Sequence, residues 1–230
     1  MRVSPASVAV AVALAAWAAL FWFLEVSGRW ALYLGARTKW VVPAGAVVLT
    51  VAAIGRTLTL RSPKADPIGR AQAWGLAVVL LPVISVVALP PATLGSFSAS
   101  RRSVSAGFVS GSGEITGEIS LVEVAGSLWS EEARQALIER AGSRVEFTGI
   151  VTRRDGTPAD EFVLTRFIVS CCAADALSVQ VRVVNAPPGR FEEDEWVRVT
   201  GSIYPLGTEV VVDASRVQAI PRPEQPYLNV

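Results

Sequence analysis

From Val3 to Leu24 the chain runs for 22 residues without a charged side chain, between Arg2 and Glu25. At about 1.5 Å per residue a helix of that length reaches roughly 33 Å, enough to cross a hydrocarbon core of about 30 Å. A cleaved signal peptide is the competing reading, because Arg2 precedes the apolar run. The run is longer than a typical signal core, carries Trp17 and Trp22, and has no clear small-x-small cleavage site before Glu25, which favours a retained span.

Two further uncharged runs follow. Trp40 to Gly55 has only 16 residues, but Lys39 and Arg56 can snorkel to lengthen its reach, and Trp30, Tyr33 and Trp40 suit a membrane interface. Between Arg70 and Arg101 lie 30 uncharged residues. The helix expected there covers about Ala73 to Leu89, is kinked at Pro82 and is ended by Pro90-Pro91, since proline cannot continue the backbone ladder. The expectation is a membrane region over residues 1–94 with spans near 3–24, 40–55 and 73–94.

No Asp, Glu, Lys or Arg lies inside any of the three runs. A chain that moved ions or charged solutes alone would place an ionisable group at mid-membrane, so an anchor or accessory subunit is the better reading. Arg2, the amino terminus and the basic second connection (Arg56, Arg61, Lys64, Arg70) favour a cytoplasmic N-terminus and an extracytoplasmic C-terminal domain in a multi-pass protein of the cell membrane. Arg29, Arg37 and Lys39 in the first connection weaken that bias, and Arg101 and Arg102 oppose it.

Past this region the composition changes. Before Val104 there are 10 Lys and Arg against 2 Asp and Glu, and from Val104 onward 11 against 18, so a total of +1 conceals a basic apolar half and an acidic one. An acidic folded half argues against nucleic acid as a partner. The chain has no histidine, which removes the common metal-ligand sets and the Ser-His-Asp arrangement. No nucleophile and base stand at a recognisable spacing, so an enzyme is not expected. Arginine outnumbers lysine 19 to 2, which reads as codon bias rather than as an anion site.

Gly95 to Ala106, rich in Ser, Ala and Gly, reads as a flexible tether over 95–106, leading into a mainly β domain over 107–230. Ser130-Glu131-Glu132 is a helix start, with a capping serine and carboxylates at the positive end of the dipole, and Gly142 closes a helix of about Ser130 to Ala141. Strand patterns cover Val145–Val151, Phe162–Cys171, Val179–Val184, Trp196–Tyr204 and Val210–Ile220, the last broken near Asp213. Gly, Pro, Asn and Asp turns separate them. Five such strands fit an OB-like five-stranded barrel over about 143–221, because closure removes exposed edges. Gly107–Val109 and Glu118–Val124 are read as extra strands. Phe162, Phe167 and Trp196 are assigned to the core in the first instance, and not to base stacking.

One constellation stands apart, Thr165 to Ala176, with Cys171-Cys172-Ala173-Ala174-Asp175 at the end of the second strand. Neighbouring residues on a strand face opposite ways, so one cysteine would enter the barrel and the other face out, unless the strand has already ended. Three readings stand side by side. One thiol is a small buried hydrophobe. The two thiolates and the Asp175 carboxylate ligate a metal, with zinc or copper(I) preferred by soft sulfur and a further ligand from water or a partner. Or the adjacent cysteines form a strained, redox-active disulfide. Arg166 is free in sequence terms to pair with Asp175 or with an anion.

At these residues the chain resembles the YcgQ-like family of bacterial membrane proteins, regarded as permease subunits. Its members carry N-terminal spans followed by a domain with an R-F-x-I-x-C-C-A-A-D-A motif, here Arg166 to Ala176. The likeness extends to Leu89-Pro90-Pro91, to Gly149 and to Trp196-Val197-Arg198-Val199-Thr200-Gly201. It implies a separate, larger multi-span permease as partner, beside the lipid bilayer, and a link of some members to metal homeostasis. Many members carry a histidine-rich stretch between the second and third spans; Gly55 to Gln72 here contains none. Cys171, Cys172 and Asp175 are the positions carried over as metal ligands. The function expected is a membrane-anchored accessory subunit with a docking or metal-handling barrel. The alternative is an autonomous surface metal-binding or thiol-redox protein using the same three residues.

Overall fold

The structure, a computed structural model, describes residues 2–3, 5–62, 69–89, 93–101, 117–128, 130–207 and 209–229. The chain divides into two compact units, Met1–Ala92 and Thr93–Val230.

The first unit holds α1 (Pro5–Val26), α2 (Val41–Leu58) and α3 (Arg70–Ala88). Three segments are long and apolar enough to cross a membrane: α1, α3, and Ala36–Leu58, which adds the turn before α2. The second is longer than its uncharged run because Arg56 does not end the helix; its Nη2 donates to Ser7 Oγ at 3.1 Å. The buried residues of α1 and α2 are mostly small, Ala11, Ala13 and Ala18 on one and Ala46 and Ala53 on the other. Small side chains let helix backbones approach closely where packing, and not water, drives association. Gly45 marks the tightest approach, since a Cβ there would lie 2.5 Å from Phe21 Cε1.

The tryptophans of α1 bind its two neighbours. Trp22 Nε1 donates to Thr50 Oγ1 on α2 and Trp17 Nε1 to the Val79 carbonyl on α3, both at 3.1 Å. Pro82 lies inside α3 and leaves the Val78 carbonyl without its amide, one residue before Trp17's acceptor. The helix ends at Ala88, with Leu89 extended, so Thr93 and Leu94 fall in the second unit and not in the third span. No residue of α3 is buried.

The second unit is a closed five-stranded barrel with helices. Its strands are β1 (Arg144–Thr152), β2 (Phe162–Val169), β3 (Leu177–Val184), β4 (Trp196–Leu206) and β5 (Glu209–Ala219). Around the barrel the order is β1-β4-β5-β3-β2 and back to β1, with every pair antiparallel except β3–β5. This is a Greek-key barrel of the OB type, as the strand pattern led one to expect.

Strand β1 closes the ring by serving two neighbours in turn. Its first part pairs with β4 as far as Ile150↔Trp196, and Ile150–Thr152 pairs with Thr165–Val163 of β2. Gly149 sits at this changeover, where a Cβ would lie 2.6 Å from the Thr165 carbonyl oxygen. The break read near Asp213 is a bulge: Thr200 pairs with Arg216 and Gly201 with Ala214, which leaves Ser215 as the extra residue. Phe162, Leu164, Val179, Val181, Val197, Val199, Ile203 and Val212 fill the interior.

Three sequence expectations are corrected here. Glu118–Val124 is not a strand, because Ser120 caps a short helix, α5 (Leu121–Ser127). Ser120 N donates to Glu123 Oε2 at 2.5 Å and Glu123 N to Ser120 Oγ at 3.3 Å, a capping box that satisfies both ends of the first turn. The next helix, α6 (Glu131–Glu139), starts at Ser130 as expected, and Leu121, Val124, Ala125 and Leu137 of the two helices join the barrel core.

The tether is the second correction. Gly95–Arg101 is folded: Ser96–Ala99 forms a helical turn whose first amide donates to Asp194 Oδ1 at 2.5 Å, and Ala99 is buried with Phe167 and Tyr227. Serine, alanine and glycine read as linker there because the partners that order them lie almost a hundred residues away. The rest of the tether, and Gly107–Val109, lie outside the described residues. Third, β2 stops at Val169 and not at Cys171, for the reason given below.

Candidate metal site at the end of β2

The connection from β2 to β3 is built around one carboxylate. Asp175 Oδ1 accepts the Ser170 amide at 3.1 Å, and Oδ2 accepts the amides of Cys171 at 2.8 Å and Cys172 at 3.3 Å. Amides drawn to a side chain cannot serve a β ladder, so the strand ends and a tight turn, Ala173–Asp175, carries the chain back towards β3. The Cys-x-x-Asp spacing was the available signal for this turn.

Strand alternation therefore no longer applies at the cysteines. Cys171 is exposed and Cys172 half-buried, so neither is a buried core thiol. Their sulfurs lie 3.7 Å apart, and both, with a carboxylate oxygen of Asp175, fall within 4.8 Å of one another. Neither cysteine is in a disulfide.

The electrostatics are those of a thiol proton donated to a carboxylate. The Cys171 thiol is pushed up to about 11, first by its hydrogen bond to Asp175 and then by Cys172. Burial works against the Asp175 charge, but the hydrogen bonds from the Cys171 thiol and from the three amides outweigh it and hold the carboxyl below its ordinary value. A thiol so raised is mostly protonated near neutrality and is a sluggish nucleophile. Asp175→Asn removes that charge, and in a Cys172→Ser background it is expected to speed alkylation of Cys171 at pH 8 by at least about tenfold. Timed labelling read by mass spectrometry checks it; an unchanged rate would show that the carboxylate does not hold the thiol proton.

A metal cation would replace that proton. With metal–sulfur bonds of about 2.3 Å, two thiolates on a tetrahedral ion stand roughly 3.8 Å apart, whereas a linear pair needs about 4.6 Å. The 3.7 Å spacing suits the tetrahedral case and so zinc over two-coordinate copper(I). Three donors leave a coordination position for water or another molecule, as in an open site.

Arg166, the remaining cation of the motif, does not pair with Asp175. Its guanidinium donates to the carbonyls of Gln225 (2.9 Å), Pro226 (3.3 Å) and Thr148 (3.4 Å), and lies over the Trp196 ring at 5.9 Å. Burial lowers its pKa. It straps the C-terminal segment onto the barrel, where Leu228–Asn229 forms a sixth short strand, β6, parallel to Ile168–Val169. Tyr227 then packs with Val169, Ala176 and Ala173, directly beside the cysteine turn.

The barrel, its two preceding helices and this turn lie within a stretch matched by one family model. Residues 116–229 match the DUF1980 C-terminal domain. The matched stretch contains the whole Arg166–Ala176 motif, the five barrel strands and β6, and it agrees with the YcgQ-like resemblance. Comparison with curated proteins returned no match.

Proposed function

We propose that this chain is a membrane-anchored, non-enzymatic accessory subunit of a separate multi-span permease, and that its barrel handles zinc through Cys171, Cys172 and Asp175. The observation that carries the reading is the convergence of two sulfurs and a carboxylate oxygen at one accessible turn. A closed structural site would supply four ligands, so an open three-donor site fits an ion that is received and passed on.

The membrane helices support an accessory role. The middle of each is free of ionisable side chains, and α3, although it meets α1 at Trp17, has no buried residue, leaving most of its apolar surface for lipid or for a partner's helices. In this reading the N-terminus is cytoplasmic and the barrel faces outward.

Purification of tagged full-length protein in mild detergent tests the assembly. Co-recovery of a multi-span protein is expected; its absence across several detergents, with zinc still bound, would point instead to an autonomous metal-binding protein. An enzymatic reporter that works only outside the cytoplasm, fused after Val230, should be active; activity only of a cytoplasmic reporter would overturn the orientation.

A further inference from the structure

A groove of about 760 Å³ lies on the outer face of β2 and β3, walled by the β1–β2 and β4–β5 connections and by the ends of α4 (Ser96–Ala99) and α5 and the start of α6. That volume is in the range of small-molecule sites. It shares no residue with the cysteine turn. On OB-type barrels this face and these two connections form the usual binding surface.

Its charge runs against that of the domain around it. Arg134, Arg154 and Arg182 line it with Glu209 as the one carboxylate, although the half of the chain from Val104 onward has more acids than bases. Arg182 is fixed, its Nη2 lying 2.6 Å from Glu161 Oε2, with Glu209 at 3.9 Å. Arg154 differs: its Nη2 donates to the neutral Gln180 Oε1 at 2.6 Å, and it has no ion pair among the described residues. Arg134 pairs with Glu131 only in an exposed contact one helical turn away, which an incoming anion can displace at little cost.

We infer that this groove binds a small molecule bearing phosphate or carboxylate groups, with Arg154 as the principal anion contact and Arg134 as the second. An arginine held by a neutral amide keeps its charge and most of its donors for a ligand, and its planar fork suits an oxyanion. No aromatic ring lines the groove, so it lacks the stacking platform that single-stranded nucleic acid requires. The inference stands independently of the zinc reading.

Calorimetry on the full chain in neutral-lipid nanodiscs at low salt, with inorganic phosphate and citrate as probes, tests it. Saturable binding of at least one probe is expected, weakened about tenfold by Arg154→Gln and only partly by Arg154→Lys. Arg198→Gln, which removes an arginine paired with Glu146 away from the groove, should bind as the parent does. Cys171→Ser should also leave anion binding unchanged, which separates failure here from failure of the metal site. An unshifted melting temperature in Arg154→Gln confirms that it is folded. Absence of saturable binding of both probes, or equal weakening by Arg198→Gln, overturns the inference. Anionic-lipid nanodiscs distinguish the ligand's source: lowered probe affinity there indicates a lipid headgroup, and unchanged affinity a soluble anion.

Discussion

Zinc carried by the full chain is expected to be lost when Cys171→Ser and Cys172→Ser are combined, and native mass spectrometry of the detergent-released protein reads this directly. The two sulfurs are the only thiols in the sequence, and no histidine can take their place. Asp175→Asn should weaken zinc binding by roughly 10–100-fold, because the same carboxylate is a candidate ligand and holds the amides of residues 170–172 that aim the cysteines. Binding should tighten as pH rises, since zinc must displace a proton from a thiol pushed up to about 11. Stoichiometric zinc retained by the double serine variant would remove the site from consideration.

Gly201→Ala is expected to destabilise the barrel by about 3 kcal/mol, the cost of forcing added atoms into a packed interior. A Cβ at Gly201 would run into the Asp213 carbonyl oxygen and Val212 Cγ1, on the strand that bulges at Ser215. A carbonyl inside a ladder cannot move aside as the end of a flexible side chain can. Gly149→Ala, against the Thr165 carbonyl at 2.6 Å, should have an effect of the same kind. At roughly 3 °C per kcal/mol the melting temperature would fall by about 10 °C. Gly156→Ala meets no neighbour within 4 Å and carries only the strain of φ +82, so it should cost clearly less. Equal melting temperatures for Gly201→Ala and Gly156→Ala would show that close strand approach is not what requires glycine at 201.

Gly149 and Gly201 also show where local pattern stops being informative. Both stand in strands whose alternation is legible, yet nothing adjacent in sequence says that a carbonyl from β2 or β5 presses on them. The same holds for Arg166. Its spacing to Asp175 invited a pairing, but its partners at Gln225 and Pro226 come from the other end of the domain. Ser120 is the opposite case: its capping box with Glu123 was present in four consecutive residues, and the apolar Leu121 and Val122 drew the segment to a strand reading instead.

The sequence by itself determined what depends on composition and short-range period. Uncharged runs long enough for a bilayer, the helix start at Ser130, five strands parted by turns and the single Cys-Cys-Ala-Ala-Asp string all follow from the chemistry of neighbours. Only the tertiary structure decided that Gly95–Arg101 folds onto the barrel, that Arg166 straps the C-terminal segment, and that an acidic domain carries a basic groove. Each of these joins residues distant along the chain, and the free energy that favours them exists only once the barrel has closed and brought their partners together. The cysteine turn lies between the two cases. Its residues were legible, but whether the thiols faced inward or outward rested on the capture of three amides by one carboxylate.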